Sequence, residues 1–460
     1  MMAVDVDVLV IGAGACGLAA AIAAHDGGAS VAIVEKRDRP GGNSSLSTGS
    51  VPGAGSRFQR EAGIVDSPAQ MTADLMRIAG DNDDPALLRR MAEVSAETVE
   101  WLVDTVKARM HLITAYKHIG HTVERLHAPK SRRGQDLVDD LMAAIAVRDI
   151  PLAVGNAVED LVVENGRVAG AVIRSSEGLS TIRAHHVVLA VNGFAADPAL
   201  VREYCPEIAG AQYFGALGSH GEAVRWGRKV GAALANMGAY QGYAAVAYPH
   251  GSLLSWTTIE KGGILVGADG RRFGNESLGY SGFARVVLEQ GDHAFAIFDQ
   301  TIFEIAALEE EFMELVRYGG IKQADTPEAL APLHGLDPAA LAATIAAYNA
   351  SARGATPDPF GRTDFAKAPL TGPFHICKVV PGLFHTQGGL RVDGNARVLD
   401  TTGRPIPGLF AGGGAAAGIS GRTGALGYAS GNGLLTAIAL GRLAGRTAAA
   451  DGAGGAGGAA

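Results

Sequence analysis

The chain has 460 residues, 47% of them hydrophobic and 19% charged, with a formal net charge of −8. That composition can bury a large core, in two domains or in one with an insertion, and it excludes a disordered chain. An acidic balance without a long basic run argues against a nucleic-acid footprint and against attachment to an anionic membrane.

The first element is the apolar run of residues 4–11, expected as a buried parallel strand. Gly12, Gly14 and Gly17 follow it as G-x-G-x-x-G, residues 18–24 continue as a helix of small residues, and "SVAIVEK" forms a second strand ending on Glu35. This strand–turn–helix context is what gives the glycine motif meaning. The glycines permit a tight turn and let a pyrophosphate approach the helix N-terminus, while Glu35 can accept hydrogen bonds from an adenosine ribose. The next segment, "GGNSSLSTGS", offers backbone N–H groups and the polar side chains of Asn43, Ser44, Ser47 and Thr48 to the same kind of ligand.

A mainly helical region is expected over 68–148. Antiparallel strands around an Asn-Gly turn come next, closing on an apolar strand at 187–191. "GSHGEAVRWGRKVGAAL" reads as a loop and a helix. Between about 236 and 366 the character changes: aromatics, polar loops and one long acidic-apolar helix over 303–318 with an exposed face appear. From 382 the glycine-rich strand–loop pattern returns, and a helix opens at Asn432. Residues 1–235 and 367–446 are therefore expected to form one discontinuous nucleotide domain and 236–366 an inserted substrate domain, with 447–460 a flexible tail.

Cys16, Cys205 and Cys377 lie far apart with no CxxC spacing, so neither a disulfide framework nor a metal site is expected. The start of the chain lacks a basic region and a long apolar stretch, so no signal peptide is expected. With no spanning segment of roughly 20 apolar residues, a cytoplasmic location is the expectation.

Several motifs then agree in order: "GAGACG" with Glu35, "RPGGNSSLSTGS", "VVLAVNGF", "GSHGEAVRWGRKVGA", "GGILVGADGRRFGNES", "HTQGGLRVD" and "PIPGLFAGG…GYASGNGL". Over nearly its whole length the chain resembles the flavoprotein family of soluble fumarate reductases, succinate dehydrogenase flavoprotein subunits and 3-ketosteroid dehydrogenases. The resemblance implies an α/β fold: a Rossmann-like FAD-binding domain of glutathione-reductase type, in three ββα layers, with an inserted α+β cap domain. It implies FAD and redox chemistry at a carbon–carbon bond beside an electron-withdrawing group. The cofactor contacts carried over are Gly12, Gly14, Ala15, Gly17, Glu35, Lys36, Gly42, Asn43, Ser44, Ser47, Thr48, Gly49, Val158, Ala190, Gly193, Gly413, Asn432 and Leu434. No histidine stands in "GGNSSLSTGS", where the membrane succinate dehydrogenases attach flavin covalently, so non-covalent FAD is expected. No CxxCH is present, so electrons are expected to pass to an external acceptor such as oxygen, a quinone or a mediator.

The branches differ after "NES". Fumarate reductases place an arginine there as proton donor; this chain has Tyr280, with Arg285 five residues too late. Ketosteroid dehydrogenases place a tyrosine there, and the Δ4-(5α) type adds a tyrosine-x-serine in the final loop, similar to Tyr428 and Ser430. The resemblance therefore implies desaturation of a cyclic ketone, with Tyr280 as base or relay, Tyr428 as carbonyl donor and Ser430 assisting. His385, Arg422 and His250 are candidate substrate contacts, and a ring bearing a carboxylate stays open if His385 and Arg422 both serve it. The alternative is a fumarate-reductase-like enoate reductase, or a di- or tricarboxylate dehydrogenase, with an unusual proton donor.

Overall fold

A computed structural model describes residues 4–456. The chain divides into two compact units: residues 1–205, 215–240 and 385–460 form the first, and residues 206–214 and 241–384 the second.

The first unit is built on a sheet whose central strand is Val6–Ile11, and its last four residues, Val8 to Ile11, are the buried apolar run that both faces of a parallel sheet require. It pairs in parallel with Val31–Val34 on one side and with Gly178–Leu189 on the other. Pro405–Ala411, more than two hundred residues later, pairs in parallel with Gly178–Leu189. The two ends of the sequence thus share one sheet. Ala157–Glu164, Arg167–Ser175 and Gly178–Leu189 form an antiparallel meander. Its first turn is Asn165–Gly166, both at positive φ, the type I′ geometry that the Asn-Gly pair favours. The helix Ala15–Asp26 lies against the C-terminal helix Asn432–Ala456 with small residues in between. A Cβ on Gly441 would sit 2.2 Å from the Cys16 carbonyl oxygen, and one on Gly445 2.1 Å from that of Ala20. This is the mixed α/β architecture expected from the sequence.

The C-terminal helix runs through Ala456, across much of the segment expected as a tail. The reason is local: Ala448 and Ala449 are buried, and Arg397 pairs with Asp451 at 3.0 Å. Residues 457–460 of that expectation lie outside the described residues.

In the second unit Ile264–Val266 pairs antiparallel with Ala294–Asp299, which pairs antiparallel with Phe374–Thr386. The single helix expected over 303–318 is two, Gln300–Ala306 and Glu310–Arg317. The break lets Phe312 and Leu315 turn into the core while Leu308 faces water. Glu310 and Glu311 keep the exposed face expected from the sequence, and Phe312 and Leu315 supply the buried one.

Candidate functional site

The glycine turn is sterically closed to side chains. Gly12 has φ +104°, and a Cβ there would lie 2.4 Å from the Ala190 carbonyl oxygen; one on Gly17 would lie 1.8 Å from that of Gly12. Gly14 caps the helix that begins at Ala15, which leaves the first N–H groups of that helix at the turn. Glu35 ties the turn together, accepting from Ala13 N at 2.8 Å and from Arg37 N at 2.9 Å. Ser44 Oγ accepts from Ala15 N at 3.2 Å, so the "GGNSS" segment meets the helix start. Gly42 faces open space. Ser47 Oγ donates to Ser44 O and accepts from Gly49 N, which shapes the loop, and Thr48 Oγ1 lies 3.0 Å from Ser50 Oγ. Asn43 Oδ1 accepts from Ala216 N at 2.6 Å while its Nδ2 is buried without a partner. Lys36 turns to Glu222, at 2.5 Å, and to the Gly218 carbonyl. Val158 sits in the strand just after Asn156, whose N donates to Glu35 O. Gly193 approaches Thr386: a Cβ there would be 2.3 Å from Thr386 Oγ1.

A second cluster lies in the same unit. His385 and Tyr428 meet edge to face, with ring centroids 5.9 Å apart. A Cβ on Gly433, in the first turn of the C-terminal helix, would be 3.3 Å from His385 Cε1. Asn432 is fully buried, with Oδ1 unpartnered, and Leu434 is buried beside it. Gly413, at φ +59°, lines the approach to Ala437 of the same helix. Asn432 Nδ2 donates to Ser420 Oγ at 3.3 Å, Ser420 Oγ donates to Gln387 Oε1 at 3.1 Å, and Gln387 Nε2 donates to His385 Nδ1 at 3.0 Å. The same Nδ1 also lies 3.3 Å from the Thr386 carbonyl oxygen, so a donor and an acceptor both face it. Burial pushes His385 down to about 4, so the ring is neutral at neutral pH. Gln387 and Ser420 were not singled out in the sequence. The signal was there for Gln387: in an extended segment, residues two apart share a face, and it is two after His385.

Ser430 is held by its backbone. Its N donates to Ile119 O at 3.0 Å, and its carbonyl accepts from His121 Nε2 at 2.8 Å. His121 Nδ1 in turn faces Arg125 Nη1 at 3.1 Å. Arg125 is fully buried between Asp66 (2.8 Å) and Asp74 (2.7 Å). These four residues also went unread in the sequence, because they come from three separated segments.

Arg422 is not brought to the His385–Tyr428 cluster by any contact. Its Nε donates to Asp83 at 2.6 Å and its Nη1 pairs with Asp81 at 2.8 Å, on an exposed loop.

In the second unit Tyr280 is the second residue of the helix Gly279–Gln290. The preceding "NES" is rigid. Asn275 Oδ1 caps Ser277 N, and buried Glu276 accepts from Arg272 (2.7 Å), Arg362 (3.4 Å) and Leu265 N (3.2 Å). The Tyr280 ring lies 5.2 Å from that of Tyr243 and 6.5 Å from Trp256; Tyr243 stacks on Phe384 at 5.5 Å. Tyr280 is half-buried at the edge of this aromatic group. His250 is exposed, in the turn after Tyr248, and makes no part of that group.

A family model described as "FAD binding domain" matches residues 7–434. The chain belongs to this FAD-binding family. An NADH:fumarate oxidoreductase of Klebsiella pneumoniae (strain 342) is 32% identical over 448 residues, which cover 96% of this chain and 47% of that protein. This flavoprotein chain thus spans about half the length of that relative. Among solved structures, the open conformation of a flavocytochrome c3 fumarate reductase superposes with a TM-score of 0.83 at 30% identity, over 97% of this chain and 78% of that one. The 3-ketosteroid-Δ4-(5α)-dehydrogenase of Rhodococcus jostii RHA1 does so with a TM-score of 0.76 at 26% identity, over 98% of each.

FAD is the cofactor of the family, and the residues present fit it. The turn at Gly12–Gly17 with the helix start at Ala15 suits a pyrophosphate, and the unpartnered buried amide atoms of Asn43 and Asn432 are groups that a polar ligand would satisfy. Gly17→Ala is expected to cost about 3 kcal/mol or more, because a methyl 1.8 Å from a backbone oxygen forces the turn and helix apart. The protein should then purify with little flavin, read as the ratio of flavin to protein absorbance; a full complement of FAD would refute this steric account. Among the described residues no helix is long and apolar enough to cross a membrane.

Proposed function

We propose that this flavoprotein desaturates a cyclic ketone between the carbons α and β to the carbonyl. The observation that carries the reading is the polar equipment of the two clusters: phenols and a neutral imidazole, with Arg422 spent on Asp81 and Asp83. A dicarboxylate calls for fixed positive charge at both ends. A ketone calls for a hydrogen-bond donor to its oxygen and a base of moderate strength for its α-proton.

The chemistry breaks two C–H bonds and forms one C=C bond. Bound FAD, held non-covalently, supplies the acceptor for the β-hydride. Tyr428 donates to the ketone oxygen as enolate character develops, with the half-buried His385 against its ring and Ser430 assisting. Tyr280 takes the α-proton, directly or as a relay to solvent. Tyr243, Trp256 and Phe384 give an apolar, flat-sided surface suited to an alicyclic skeleton. The two electrons leave to an external acceptor.

A second reading has one observation in its favour: at 32% and 30% identity, a relative and a structural neighbour are named for fumarate. In that reading the chain would reduce an enoate, with Tyr280 as an unusual proton donor. Anaerobic mixing of the FAD-loaded protein with saturated cyclic ketones separates the two. Bleaching of the flavin by a ketone is the expected result. Bleaching only by succinate-type acids, or reoxidation of reduced flavin by fumarate alone, would overturn the proposal.

A further inference from the structure

Arg132 stands out among the described arginines. No carboxylate pairs with it, yet its Nε is buried without a partner. Its neighbours are neutral: Nη1 donates to Tyr116 Oη at 3.2 Å, and Nη2 to Ser50 Oγ at 3.4 Å and to His118 Nε2 at 3.5 Å. With Nε2 accepting from the guanidinium, the His118 proton sits on Nδ1, and that atom too is buried without a partner. Burial first, then the nearby Arg132 charge, push His118 down to about 3, so the ring carries no charge of its own. The cluster therefore holds one uncompensated positive charge and two unmatched N–H donors, with the Tyr116 hydroxyl at its exposed edge. A half-buried cation in this state costs free energy that an oxyanion would recover. Exposed Lys130 and Arg133 flank it and add to the positive field.

The position of this cluster gives it a purpose. Ser50 closes the "GGNSSLSTGS" loop, and a Cβ on Gly431 would come within 3.0 Å of the Ser50 carbonyl oxygen. His118 is followed directly by Ile119 and His121, the residues that hold Ser430 by its N–H and its carbonyl. The cation is thus tied into the same layer of the first unit as the Tyr428–Ser430 loop.

We propose that Arg132, with His118 and Tyr116, is a binding site for a carboxylate carried by the substrate, so that the substrate class is a ring ketone bearing an acid group. The ring ketone rests on the reading given above; the carboxylate rests on Arg132 alone. Arg422 has no part in it.

The test uses the FAD-loaded protein and two probes of equal shape, cyclohexanecarboxylate and cyclohexanecarboxamide, titrated by calorimetry. The wild-type protein should bind the carboxylate about 10- to 100-fold more tightly than the amide, the range that one charge-assisted hydrogen-bonded pair provides. Arg132→Gln should remove that preference, while Arg133→Gln, on the exposed neighbour, should keep it. Equal affinity for the two probes in the wild-type protein overturns the proposal without recourse to a variant. Undiminished preference in Arg132→Gln overturns it as well, and so does loss of FAD from that variant, which would make Arg132 a cofactor residue. If no cyclic ketone bleaches the flavin while the Arg132-dependent preference stands, the ketone reading alone has failed. If neutral ketones bleach it and the acid group adds nothing, the carboxylate site alone has failed.

Discussion

Tyr280→Phe is expected to slow the reduction of bound flavin by a saturated cyclic ketone by about 10²- to 10⁴-fold, the usual contribution of a positioned proton-transfer group. The substitution removes one oxygen and keeps the ring, so the tilted ring contact with Tyr243 and the edge contact with Trp256 survive. Substrate affinity should change little. Stopped-flow absorbance under anaerobic conditions reads the reduction rate directly, and a variant within about threefold of wild type would remove Tyr280 from proton transfer. Tyr243 supplies the contrast. Its hydroxyl donates to Leu254 O at 2.9 Å and accepts from Trp256 N at 3.1 Å. Burial, with a smaller contribution from Tyr280, pushes its phenol well above the ordinary value. That hydroxyl is committed to structure.

What the sequence discloses follows physical range. The dinucleotide turn was legible because its causes are local: a buried strand, glycines that cannot carry a Cβ and a helix start within a dozen residues. The Asn165–Gly166 hairpin was legible for the same reason. Over 303–318 the exposed acidic face was legible, but the break into the helices Gln300–Ala306 and Glu310–Arg317 was not. In the site, His385, Tyr428 and Asn432 were singled out by motif. Gln387 and Ser420, which link Asn432 to His385 by hydrogen bonds, were not, because the chain they complete crosses three segments. Arg422 shows the converse. The resemblance made it a candidate substrate contact, but the acids that engage it, Asp81 and Asp83, lie more than three hundred residues earlier.

The same long-range character makes Arg125 the most sensitive structural position. Arg125→Leu is expected to cost about 3–5 kcal/mol, the penalty for stranding buried charge by deleting one partner. Arg125 is fully buried and forks onto Asp66 through Nε and Nη2, at 2.9 and 2.8 Å, while Nη1 reaches Asp74 at 2.7 Å. Leucine would leave two carboxylates facing each other out of water. Some compensation remains: Asp66 still accepts from Gln59 Nε2 and Ser67 N, and Asp74 from Thr122 N and Oγ1. The cost should therefore fall toward the lower end of that range. Arg125→Lys should recover part of it, since an ammonium restores the charge but cannot make the fork. Urea unfolding followed by circular dichroism measures both variants, and a loss under about 1 kcal/mol for Arg125→Leu would contradict the buried-pair account. The effect should reach the chemistry as well. Arg125 holds His121, and His121 Nε2 holds the Ser430 carbonyl at 2.8 Å. In Arg125→Leu that imidazole loses its anchor, and with it the hold of His121 on the loop carrying Tyr428 weakens. If turnover falls while FAD content stays complete, the network positions the loop; if stability falls and turnover does not, the network serves the fold alone.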